Sequence, residues 1–345
     1  MSKLIEIPHS VCKYTCMVNG ISDVYELKTG QKLPCEFMMI LSGMAGFAYL
    51  KFKRAKPPYM VFWGPSIKVQ YKNLKEIFGI EIKVKNEGGS FASAMKILRK
   101  NVDDGNPIVI GPLDMFHLDY HEFFLKLHAT AHFVLVVGYD DLAKRVYLYD
   151  CNYKELQSLS YENLEQAWKT DEKGYLRKNS VVEFSIPRIV KSLDELTRKG
   201  LLNKANQMLN PPIRNFGIIG IRKLSKEFSS WEGWMNKDDY VLALKILVMF
   251  ANVPPTLSRE IDNFTASRKE FSLLLKEVAD IAKNPKLEQL SNHFQNSGQQ
   301  IKRLCHTVLD YLDQKEDKRS EIPALLSAIA ETEEEAYNSI KRIYS

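Results

Sequence analysis

The run His132-Phe-Val-Leu-Val-Val-Gly138, followed closely by Arg145-Val-Tyr-Leu-Tyr-Asp150, limits what this chain can become more than any other stretch. Both segments are dense in β-branched and aromatic residues, which suit a pleated surface. The short polar link around Asp140 to Lys144 is a reversing turn, so the two runs form an antiparallel hairpin. If His132 stands opposite Asp150, Val137 stands opposite Arg145. The imidazole and the carboxylate then share one sheet face, about 5 Å apart at Cβ. A slip of one residue would turn one of them away. An imidazole held beside a carboxylate is a general base with its orienting partner.

Such a base needs a nucleophile, and a thiol lies far upstream in Cys12-Lys-Tyr-Thr15-Cys16. Helical spacing runs from about Cys12 to Lys28, with Ser10 as the expected N-cap. Cys12 would then open a helix, where the macrodipole and unpaired N–H groups favour a thiolate and can hold an oxyanion. Cys16, one turn on, is read as a small apolar core residue. The expected catalytic set is Cys12, His132 and Asp150. His9, three residues before Cys12, either lines the same pocket or sits at the surface.

The sequence divides near Pro187. Before it, α and β signals alternate: helical spacing at Lys72–Phe78 and Phe91–Asn101, strands at 106–112 and 180–186, and a helical start near Pro34 leading into the small-residue stretch Leu41–Leu50. After it, almost everything reads as helix: Ser192–Asn206, Ile213–Phe228, Lys237–Ala251, Thr265–Lys283, Lys286–Gln314 and Ile322–Tyr344. The breaks fall at Pro211-Pro212, Pro254-Pro255 and Pro285. The expected fold class is α+β: a catalytic domain with an antiparallel sheet over 1–190, then an all-α domain over 191–345.

Composition narrows the classes. With 345 residues, 45% hydrophobic and 26% charged, the chain is globular and long enough for two domains. No apolar run is long enough to span a bilayer, and the first residues lack a secretory signal. The five cysteines are odd in number and scattered, which suits a reducing cytoplasm better than a disulfide framework. A net charge of +6 permits an acidic partner, but there is no nucleic-acid motif. His117, His121 and His128, with His9, Cys12 or Cys16, match no usual zinc spacing, so no metal is expected. Gly43 and Gly46 lack the strand–glycine–helix context of a dinucleotide site, and no cofactor is expected.

Several motifs together resemble the family named for butirosin biosynthesis protein H. They are Cys12 with Thr15, then Ser42-Gly43-Met-Ala-Gly46-Phe-Ala-Tyr49, then Pro112, Asp114 and Tyr120, then His132 with Gly138-Tyr139-Asp140, and finally Asp150. The helical half resembles the uncharacterised domain that accompanies this module, most clearly from Phe264–Arg268 to Leu275–Ala279. The resemblance implies a papain-like cysteine fold and acyl transfer. The named family member is similar in moving an aminoacyl group from an acyl carrier protein thioester to an aminoglycoside amine. The resemblance marks Thr15, Gly43, Asp114 and Tyr120 as substrate-binding candidates, and His9 joins them by its place before Cys12. The family's His directly precedes its Cys, whereas His9 here is three residues earlier.

The expectation is therefore a cytoplasmic cysteine acyltransferase of specialised metabolism. Its donor would be a carrier-protein or other acyl thioester and its acceptor a small amine, with no nucleic acid or membrane as partner. A thiol peptidase or amidase, and a degenerate binding module, are the alternatives. The helical domain is expected to cover the cleft or to form a homodimer interface.

Overall fold

A computed structural model describes residues 2–12, 15–171, 176–252 and 262–344. The strands in chain order are β1 (Ser2–Leu4), β2 (Ala48–Lys51), β3 (Tyr59–Phe62), β4 (Glu81–Lys85), β5 (Ile108–Leu113), β6 (His132–Asp140), β7 (Arg145–Tyr149), β8 (Gln157–Ser160) and β9 (Val181–Ser185). The helices of the first half are α1 (Cys16–Thr29), α2 (Phe37–Ser42), α3 (Ile67–Asn73), α4 (Phe91–Asp103) and α5 (Tyr161–Ala167). Those of the second half are α6 (Leu193–Leu209), α7 (Gly217–Glu227), α8 (Trp231–Trp234), α9 (Lys237–Met249), α10 (Arg268–Ala282), α11 (Pro285–Leu312) and α12 (Ile322–Tyr344). The fold is mixed α and β, with an antiparallel sheet and a helical C-terminal part. The expected break at Pro254-Pro255 lies outside the described residues.

Two compact units emerge. The first is Met1–Met39 with Ser66–Lys191, and the second is Ile40–Pro65 with Ser192–Ser345. The boundary near 191 falls where the composition changes, but the first 190 residues are not one unit. Residues 40–65 group with the helices because their backbone is satisfied there. The buried Lys204 side-chain nitrogen donates to the Gly43 carbonyl at 2.8 Å and to that of Met44. Arg268, fully buried, donates to the Gly46 carbonyl at 3.1 Å. The Trp63 indole donates to the Leu247 carbonyl at 3.0 Å. The expected helix through Leu41–Leu50 ends at Ser42 instead. The chain turns at Gly43, whose φ of 139° suits glycine, and re-emerges as β2.

In the first unit the sheet order is β4-β9-β5-β6-β7-β8, with β1 also pairing to β6. Apolar residues of α4 and α5 pack on β5 and β6, with Leu98, Ile110, Val134, Val136, Leu164 and Trp168 at the centre. Helix α1 lies against β6 so closely that a Cβ on Gly20 would come 2.5 Å from the Leu135 Cβ. That contact fixes the start of α1 relative to the strand that begins at His132.

The hairpin exists, but its register differs from the one expected. Leu135 pairs with Tyr149 and Val136 with Leu148; an irregularity at Val137 then moves the pairing to Gly138 with Tyr147 and Asp140 with Arg145. Val137 is the extra residue of this β-bulge and does not face Arg145.

Candidate active site

The first helix begins later than its periodicity suggests. Thr15, in extended conformation, is the N-cap, and Cys16 is the first helical residue. Thr15 makes no side-chain cap bond and no acidic residue lies in the first turn, so the leading N–H groups of α1 are not capped by a side chain. Cys12 lies outside the helix. It is 6% exposed and forms a disulfide with Cys35, the Cα atoms 5.8 Å apart. This corrects two expectations: Cys12 has no free thiol to offer, and the scattered cysteines do include a bonded pair. Cys16, Cys151 and Cys305 are free.

Cys16 meets the imidazole. Its thiol lies close enough to His132 to contribute to that imidazole's raised pKa. The Nε2 of His132 is 2.7 Å from Oδ2 of Asp150. Both partners are buried, at 5% and 1% exposure. Asp150 is held from every side: the Tyr120 hydroxyl donates to its Oδ2 at 3.0 Å and the Asn152 N–H to its Oδ1 at 3.0 Å.

The electrostatics follow from this packing. Burial alone would lower the His132 pKa, but the Asp150 carboxylate and the Cys16 thiol hold it well above its ordinary value. Burial would raise Asp150, but the facing imidazolium and the Asn152 N–H hold it below the usual carboxylate range. His121, its ring 5.8 Å from that of His132, is pushed down to about 4 by burial and by the charge on His132. It is a neutral neighbour at pH 7. The phenol of Tyr71 in α3 is raised by burial and by the charge of Cys16.

The other candidates divide. His9 bonds through Nδ1 to Asp23 Oδ2 at 2.6 Å, donates from Nε2 to the Tyr153 carbonyl at 2.9 Å, and stacks on Tyr149 at 4.5 Å. It ties α1 to the segment after Asp150. Asp114 organises the loop before β6, accepting from the Phe116 and Ala129 N–H groups and pairing with His128 at 2.6 Å. Tyr120 touches Asp150, and Thr15 precedes the thiol. Gly43 belongs to the second unit, where Lys204 holds its carbonyl. Among the described residues no group of three or more His, Cys, Asp or Glu is arranged to hold a metal ion. No described helix is long and apolar enough to cross a membrane.

The roles of Cys16, His121 and Tyr71 escaped the sequence reading. For Cys16 a signal existed: Thr15 is also an N-cap residue type, weaker than Ser10, and stands directly before the thiol. For His121 and Tyr71 there was none, since only the folded loops bring them close.

Comparison with known proteins gives two family matches. Residues 15–151 match the family described as butirosin biosynthesis protein H, N-terminal. The match opens at Thr15, so it contains Cys16, His132 and Asp150 and leaves Cys12 outside. Residues 162–253 match a second family, described only as a domain of unknown function. That match stops short of Phe264–Ala279, the segment expected to be its most recognisable part. The chain is also similar to the uncharacterized protein YobF of Bacillus subtilis (strain 168), 25% identical over 198 residues. The similarity covers 57% of this chain and 61% of YobF.

Proposed function

We propose that this protein is a biosynthetic cysteine acyltransferase of papain-like arrangement, with Cys16 as nucleophile, His132 as base and Asp150 as its orienting carboxylate. The observation that carries the reading is the Cys16 thiol on the opening residue of α1, beside an imidazole whose Nε2 is held by a buried carboxylate. His132 takes the proton of the Cys16 thiol. The thiolate adds to the carbonyl of an acyl thioester, and the uncapped N–H groups of α1 receive the developing oxyanion. Collapse expels the donor thiolate, which takes the proton from His132 and leaves an acyl group on Cys16. An amine then adds to that carbonyl, His132 accepts its proton, and the Cys16 thiolate departs as the amide forms.

The family match and the acyl-transfer chemistry of the resembling family support a carrier-bound or other thioester as donor and an amine as acceptor. The test is intact-mass measurement after exposure to a simple acyl thioester in non-reducing buffer. Acylation is expected in the wild type and in Cys12→Ser, and is lost in Cys16→Ser. Addition of an amine should discharge the adduct as an amide. Acylation that survives in Cys16→Ser removes the assignment, and discharge only to the free acid replaces transfer by hydrolysis.

A further inference from the structure

The Asp150 carboxylate is loaded unevenly. Its Oδ2 lies 2.7 Å from Nε2 of His132 and also accepts from the Tyr120 hydroxyl at 3.0 Å. Its Oδ1 accepts from the Asn152 N–H at 3.0 Å. The imidazole and the phenol therefore share one oxygen. An ionised carboxylate only accepts, so Nε2 carries a proton in this pair. Burial and the facing carboxylate hold the Tyr120 phenol well above its ordinary value, so it too keeps its proton and donates. Asp150 is almost fully buried, so both donors act on that oxygen in a low-dielectric setting.

Tyr120 is brought there by its own loop and not by the carboxylate. The Leu118 N–H donates to the Met115 carbonyl, the His121 N–H to the Leu118 carbonyl and the Leu125 N–H to the Phe116 carbonyl. Leu118 and Phe123 are buried in the core of the first unit, and the Tyr120 ring packs against that core. The ring also stands edge-on to Tyr153 at 5.6 Å. The Tyr153 N–H donates to the Asp150 carbonyl at 3.1 Å, and the Tyr153 hydroxyl accepts from the Glu122 N–H at 3.2 Å. The phenol is thus held against the carboxylate by packing on both sides.

We propose that Tyr120 is a positioning residue that sets the strength of the His132–Asp150 bond, its hydroxyl drawing charge from the oxygen that faces the imidazole. Without that hydroxyl, Asp150 holds the imidazolium proton more tightly. The catalytic consequence rests on the acyltransferase reading above. There His132 takes the Cys16 proton and then releases it to the departing donor thiolate, and a carboxylate that binds the imidazolium too strongly slows the release. The effect on the bond itself does not depend on that reading.

The experiment is proton NMR of the full chain, disulfide intact and with nitrogen-15-labelled histidine, at about pH 6, where both partners are charged. The low-field Nε2–H signal of His132 is assigned by its loss in His132→Gln. Tyr120→Phe, which keeps the ring and removes only the hydroxyl, should move that signal further to low field. Acylation of Cys16 by a simple thioester should slow about tenfold, the worth of one hydrogen bond to a charged group. Tyr153→Phe, which removes a hydroxyl bonded to Glu122 and not to Asp150, should leave the signal in place. A signal that stays put in Tyr120→Phe, or moves equally in Tyr153→Phe, overturns the proposal. Movement to high field overturns it too, since a phenol that only props the pair together gives that result. The low-field shift without acylation of the wild type keeps the role of Tyr120 and rejects the transfer chemistry. The shift with an unchanged acylation rate keeps the bond and rejects its catalytic consequence.

Discussion

His132 and Asp150 make a 2.7 Å ion pair without being cross-strand partners. Continuing the Leu135–Tyr149 pairing by one residue sets Asp150 opposite Val134. The carboxylate therefore reaches His132 diagonally along the same face, and the bond depends on side-chain reach rather than on a ladder position. The Tyr120 hydroxyl and the Asn152 N–H hold it in that pose.

This pair should leave a signature in stability against pH. Asp150 has a depressed pKa, so its contribution is present above the unfolded value of about 4 and is lost as pH falls through the folded value. His132 has a raised pKa, so its contribution is full below about 6.5 and is lost as pH rises through the folded value. Both are complete between about pH 4 and 6.5. Asp150→Asn should cost about 3–5 kcal/mol in that window, because it strands a buried imidazolium. The loss should shrink towards alkaline pH. Urea unfolding of wild type and variant across pH gives the difference curve, and a flat curve contradicts the ion pair.

The disulfide should support the fold and not the chemistry. Cys12 and Cys35 are separated by 23 residues. Closing a loop of that length is worth about 3 kcal/mol in the unfolded-chain account. Cys35→Ser, or mild reduction, should lower the denaturation midpoint while Cys16 still reacts with iodoacetamide. Unchanged stability in Cys35→Ser under oxidising conditions argues against the bond.

In the second unit, Glu333 binds Arg268 twice, at 2.8 and 3.2 Å, and accepts from the Ser297 hydroxyl; Arg268 and Glu333 are fully buried. Glu333→Gln should destabilise by about 3–5 kcal/mol, since buried Arg268 keeps its charge and loses its two-point carboxylate partner. Arg268 also holds the Gly46 carbonyl, so hydrogen exchange around 43–47 should accelerate in the same variant. Protection that is unchanged there would separate the ion pair from the turn.

The sequence by itself determined the β6–β7 hairpin, the helices of the C-terminal half, the change of texture near Pro187 and the two ends of the His132–Asp150 pair. Period and β-propensity are local properties, and the β6–β7 strands and the long C-terminal helices obey them. The tertiary structure decided which cysteine is the nucleophile candidate. Cys12 and Cys16 differ by one helical turn, and periodicity alone does not say where a helix begins. The start at Cys16 coincides with Gly20 meeting Leu135 and with a disulfide that ties Cys12 to Cys35. The bulge at Val137 was equally invisible, because register depends on the partner strand. The same holds for Ile40–Pro65: its strands were hidden in a small-residue run, and its unit is set by Lys204, Arg268 and Leu247, which lie far along the chain. A buried carbonyl must find a donor, and only the folded chain shows which donor is within reach.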